Sequence, residues 1–227
     1  MQQACKLVQD YSIGEVDSLV LKAYRGAGFS WGLAQEAGNA AAWMAVNGLP
    51  ALDEFAQLLG CIDRQVTGAL TPLISDKACW LNPSQQLCPV ISGAAFSESD
   101  LDAFDLSQGL IIQSVVQPMI LLPFIAQSAK HLQCDLVLQI DALKVVCAKD
   151  GGGHYGSLRL ASVEPRKSDV CILQAEQSGR VPFEVHQRAR ATPQSLEFLN
   201  QLAHRTYVPA SEESRLAGAG AGLLDND

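Results

Sequence analysis

Residues 25–32 read Arg-Gly-Ala-Gly-Phe-Ser-Trp-Gly, and this glycine-laced break constrains the fold more than any other segment. Glycine stops helices and reaches backbone angles that other residues avoid. Upstream, Ser12 and Glu15 fit a capping box, with Tyr11 and Val16 placed as its hydrophobic staple. Val16, Leu19, Val20 and Ala23 then follow i, i+3, i+4, i+7 spacing, which is one buried helical face. Downstream, Ser30 caps a second helix over 31–47, and Gly48 lies just past its end. That helix is rich in glycine and alanine (Gly32, Ala34, Ala37, Gly38, Ala40, Ala41, Ala42, Ala45), which lets another backbone come close. Pro50 opens a third helix over 50–59, and Gly60 ends it. Residues 1–60 therefore predict a compact helical unit.

The pattern then changes. Residues 61–88 are mixed, with a short helix around 66–74. Residues 88–96 are apolar and small and read as a strand, followed by an acidic turn over 98–105. Residues 110–117 read as a strand, and Pro123 fits the start of a helix that runs on over 124–132. Short apolar runs at 136–140 and 143–148, a glycine turn at 151–156, and runs at 157–163 and 170–174 add further strands. Thr192-Pro193 opens a last helix with Leu196, Leu199, Leu202 and Ala203 as its stripe. Strands joined by short connections favour antiparallel pairing. The expectation is a single α+β domain over 1–227: a helical unit (1–60) packed on a mostly antiparallel sheet (61–191), closed by a C-terminal helix and tail (192–227).

Charge narrows the partners. The net charge is −8, and residues 1–113 hold five Lys/Arg against twelve Asp/Glu. An acidic surface without a basic cluster argues against nucleic acid and anionic lipid. No signal peptide or membrane-spanning run is read, so the chain is expected in the cytoplasm. The seven cysteines are odd in number and lack C-x-x-C spacing, so they read as reduced core or surface thiols. His131, His154, His186 and His204 are far apart, and neither metal nor cofactor is expected.

The glycine spacing at 26–32 is close to a dinucleotide fingerprint, but that motif needs a strand before it, and 15–25 is helical. What the corner offers instead is an anion site. Free N–H groups at Trp31, Gly32 and Leu33 carry the positive end of the helix dipole, and Arg25 adds a fork of donors. A plain helix–turn–helix corner, with Arg25 paired to Glu36, accounts for the same glycines. Glu36 and Asn39, on neighbouring turns, are placed to line a pocket, with Glu36 as an acid or base if chemistry occurs. Arg205, Tyr207 and Arg215 read as anchors before a Gly/Ala-rich tail that could fold back over the pocket, strap a dimer partner, or simply fray.

Two segments carry a family resemblance. Residues 15–38 fit E-x-x-x-L-x-x-K-A-x-R-G-A-G-x-x-W-G-x-A-x-E-A-G, and residues 205–227 fit R-T-Y-V-P-x-S-x-x-S-R-x-x-G-A-G-A-G-x-x-D-N-D. Both are similar to an uncharacterised bacterial family, a domain of unknown function. The resemblance implies one cytosolic bacterial architecture over nearly the whole chain and an ordered tail, and it brings no catalytic residue. The function expected is binding of a small carboxylate or phosphate metabolite, in a binding protein or a metabolic enzyme. Arg25, Gly28, Trp31, Gly32, Asn39, Arg205, Tyr207 and Arg215 would form the site. The alternative is a non-catalytic accessory or homo-oligomerisation domain.

Overall fold

The computed structural model describes residues 10–74, 77–101, 104–150, 153–155, 167–175, 181–182 and 184–207. The first element is a short strand, β1 (Asp10–Ser12), leading directly into α1 (Ile13–Gly26). Ser12 caps α1 and receives the Glu15 side chain on its own backbone N–H, so the capping box forms as read. Val16, Val20, Ala23 and Tyr24 are its buried residues. Ser30 caps α2 (Trp31–Val46) by accepting the Leu33 N–H at 3.3 Å. Gly38 lies against Asp17 of α1, where a Cβ would collide with the Asp17 carboxylate. That close approach is what the small residues of α2 permit.

α3 (Ala51–Ile62) corrects the reading at Gly60: the helix runs through it, and Pro50 stands before the helix as its cap. Gly60 is exposed with open space around it, so nothing there demands a stop. The helix read at 66–74 shrinks to α4 (Thr67–Leu70). β2 (Cys79–Trp80) follows. The apolar run at 88–96 is a helix, α5 (Pro89–Glu98), and not a strand. Six of its ten residues are buried, so no face is polar enough to show a helical period.

β3 (Leu110–Val116), a 3₁₀ turn (Pro118–Leu121) and α6 (Leu122–Leu132) match the expected strand and helix start. β4 (Leu136–Ile140) and β5 (Leu143–Cys147) form a hairpin. Residues 153–155, read as a turn, are strand β6 (Gly153–Tyr155), paired on one side with β5. β7 (Lys167–Gln174), β8 (Val181–Pro182), β9 (Arg188–Arg190) and α7 (Pro193–His204) complete the elements. The strand read at 157–163 and the tail after Tyr207 lie outside the described residues.

The seven-stranded sheet runs β2-β3-β7-β4-β5-β6-β8. Among the described strands of this sheet, only β2 and β3 pair in parallel, and the other pairs are antiparallel. Between Ile112 and Val115 the β3–β7 register shifts, and Ser114 there takes a left-handed φ of 54°. α6 packs on β4 and β5 on one side and on α2 on the other, so it joins the sheet to the helical unit. α7 closes that unit by packing on α1 and α3. The fold is α+β, as its sequence pattern indicates. β1 and β9 pair as a separate antiparallel ribbon beside the helices.

Candidate functional site

At the corner between α1 and α2, Gly28 takes φ +102°, which glycine alone adopts without strain. Arg25 sits half-buried beside it. One terminal nitrogen donates to the Phe29 carbonyl, and the guanidinium lies 4.6 Å from the centre of the Trp31 ring. Trp31 itself is 66% exposed. The Leu33 N–H is taken by the Ser30 hydroxyl, so the donors left at the helix start are those of Trp31 and Gly32. No ion pair joins Arg25 to Glu36.

Arg205, just past α7, does reach this corner. It pairs with Asp63 at 2.7 Å and lies 3.5 Å from the Gly26 carbonyl. Tyr207 packs edge-on against His204, with Lys22 5.9 Å above its ring. Arg215 lies outside the described residues. Glu36 and Asn39 face a different space, a cleft of about 320 Å³ between α2 and α6.

A larger cleft, about 850 Å³, lies where the β1–β9 ribbon meets α2, α3 and the start of α7. Arg188 and Arg190 stand on one side of β9, with Ala189 buried between them on the other. Arg190 pairs with the Asp10 carboxylate at 3.0 Å. Asp53 is held on the first turn of α7 by the Thr192 N–H at 3.1 Å and hydroxyl at 2.8 Å. Arg188 donates only to the Asp10 backbone carbonyl, at 2.9 Å, although its charge also reaches Glu15. His186 rests against Gly48, 3.8 Å from Glu184. Both acids within the cleft are therefore engaged, while Arg188 keeps donors for an incoming anion. The sequence reading passed over this segment. Its signal is the Arg-Ala-Arg alternation just before a Thr-Pro helix start.

The buried thiols offer no nucleophile. Cys88 meets the Tyr24 hydroxyl at 3.0 Å inside the helical core, and burial pushes both groups up from their ordinary values. Burial pushes the Cys147 thiol up to about 12. Thiolate is the reactive form, so both are held inert. Among the described residues no helix is long and apolar enough to cross a membrane.

Over residues 11–84 the chain matches a family described as "Protein of unknown function (DUF3726)". The matched span holds the 15–38 pattern and ends well before the tail, where the sequence had suggested nearly whole-chain coverage. No curated protein matches the chain. Among solved structures it resembles a malate dehydrogenase from Entamoeba histolytica at 9% identity and a TM-score of 0.41. That likeness covers 71% of this chain and about half (49%) of the dehydrogenase chain, and it carries no functional argument.

Proposed function

We propose that this is a cytoplasmic protein that binds a small carboxylate or phosphate metabolite in the cleft between β9 and α7. The observation that supports it is Arg188, an exposed guanidinium partnered by one carbonyl, beside His186 on the wall of an 850 Å³ space. The volume falls within the ~300–1,000 Å³ range of ligand pockets. Arg190 would add a second fork, already oriented by Asp10. Binding is the step that a metabolic enzyme, a carrier and a ligand sensor share, and the cleft supports that step. The Arg25–Trp31 corner, with Arg205 beside it, is the competing location for the same ligand class.

A thermal-shift screen with inorganic phosphate, succinate and citrate tests this. A ligand at a hundred times its dissociation constant adds about 2.7 kcal/mol, or roughly 5–11 °C for a chain of this size. The shift should vanish in Arg188→Ala and persist in Arg25→Ala. The reverse pattern moves the site to the corner. No shift with any of the three anions refutes the reading and favours an accessory or oligomerisation domain. A specific feature favours that second reading: Ile111 of β3, Leu81 just past β2, and Leu73, which bridges to Leu81, are exposed. Light scattering of the full chain would show the assembly.

A further inference from the structure

The cleft between α2 and α6 brings together two opposite charges that the sequence keeps far apart. Glu36 of α2 lines it half-buried, and Lys130, exposed near the end of α6, lines the facing wall. Neither side chain has an ion-pair partner among the described residues, and the two do not pair with each other. Trp43, Phe124, Pro123, Ala40 and Ala126 give the space its apolar body. Asn39 and Gln127 add amides at the edge, and the Asn39 oxygen accepts from Gln35 at 3.1 Å. The helices packed on this cleft, α2 and α6, bring a third titratable residue, His131, which is exposed and does not line it.

From this geometry we infer a second binding site, for a small zwitterion: an amino acid whose ammonium meets Glu36 and whose carboxylate meets Lys130. A carboxylate accepts from an ammonium, and a lysine ammonium donates to a carboxylate, so each charge has one complementary end of the ligand. A ligand with one charge makes only one of these two charge-assisted contacts and binds more weakly. The aromatic body selects a carbon frame between the two ends. At about 320 Å³ the space lies at the small end of ligand pockets. The site is independent of Arg188 and of the anion proposed there.

The test is calorimetric titration of the full chain with L-phenylalanine, 4-aminobutyrate and 6-aminohexanoate, the last two probing the gap between the charges. Hexylamine and hexanoate serve as single-charge controls. At least one amino acid should bind, and Glu36→Gln and Lys130→Met should each weaken it tenfold or more. Arg188→Ala should leave it unchanged, which separates this site from the anion cleft. In the wild-type protein the Trp43 indole N–H resonance should move on binding, a readout that needs no variant. The inference is overturned by no binding at millimolar ligand, by equal binding of hexylamine or hexanoate, or by affinity that survives either charge substitution.

Discussion

Two glycines in helices should respond to alanine with opposite signs. Gly26, the last residue of α1, faces α7: a Cβ there would fall deep inside the Leu202 carbonyl oxygen and 2.7 Å from its carbon. The obstacle is helical backbone, which cannot swing aside like the end of a long side chain. Gly26→Ala therefore forces α1 and α7 apart, and overpacking of that kind costs ~1–3 kcal/mol. Alanine's helix propensity returns at most about 1 kcal/mol, and less at a helix end. The net loss is about 1–2 kcal/mol, or roughly 2–8 °C in melting temperature at this chain length. Gly60 lies inside α3 with open space around it. Gly60→Ala should raise stability by ~0.5–1 kcal/mol, because only the propensity term acts. Urea and thermal unfolding followed by far-UV circular dichroism would measure both. A Gly26→Ala protein as stable as wild type would refute the close α1–α7 contact, and a destabilised Gly60→Ala would refute the continuous α3.

Two further outcomes concern thiols and pH. Cys61 is exposed, whereas Cys88 and Cys147 are buried with thiols pushed up by burial. Peptide mapping after native labelling at mildly alkaline pH should find Cys61 modified well before Cys88 and Cys147, which react only on unfolding. Equal labelling rates would contradict the burial. Glu15 accepts from the Ser12 backbone N–H at 2.7 Å and hydroxyl at 2.8 Å, which holds its carboxyl below the usual range. The unfolded chain then takes up a proton before the folded one, so the capping contribution is whole above the ordinary carboxylate pKa. It is lost as pH falls through the lowered folded value. Glu15→Gln should flatten this part of the acid limb of the urea midpoint, and identical limbs would show that the capping box carries no such linkage.

What the sequence discloses depends on how local each cause is. The α1 cap is written within four residues, Ser12 to Glu15, and the start of α7 within Thr192-Pro193. Both form as read. The β4–β5 hairpin is legible for the same reason: its apolar runs pair with the strand adjacent in sequence. α5 is not legible, because a helix buried on nearly all sides has no polar face to reveal its period. Its Pro89 at the first turn was the available clue. β6 is a strand because β5 and β8 pair with Gly153–Tyr155, a partnership that no short window contains.

The clefts show the same division more sharply. Glu36 and Asn39 announce a polar spot on a small-residue helix, and that much the sequence supports. It cannot announce Lys130, because the two residues come to line one cleft only where α6, held on β4 and β5, packs on α2. Arg188 and Arg190 come to line a cleft only once β9 pairs with β1 beside α3 and the start of α7. Arg25 illustrates the converse. It stood out because glycines surround it, yet those glycines serve the turn, and its guanidinium is engaged by the Phe29 carbonyl and the Trp31 ring. Its Nε is buried without a hydrogen-bond partner, yet Arg25 lines neither cleft. The stronger claim belongs to charges with unspent donors or acceptors beside a cavity, and that places Arg188 and the Glu36–Lys130 pair ahead of Arg25 for mutagenesis.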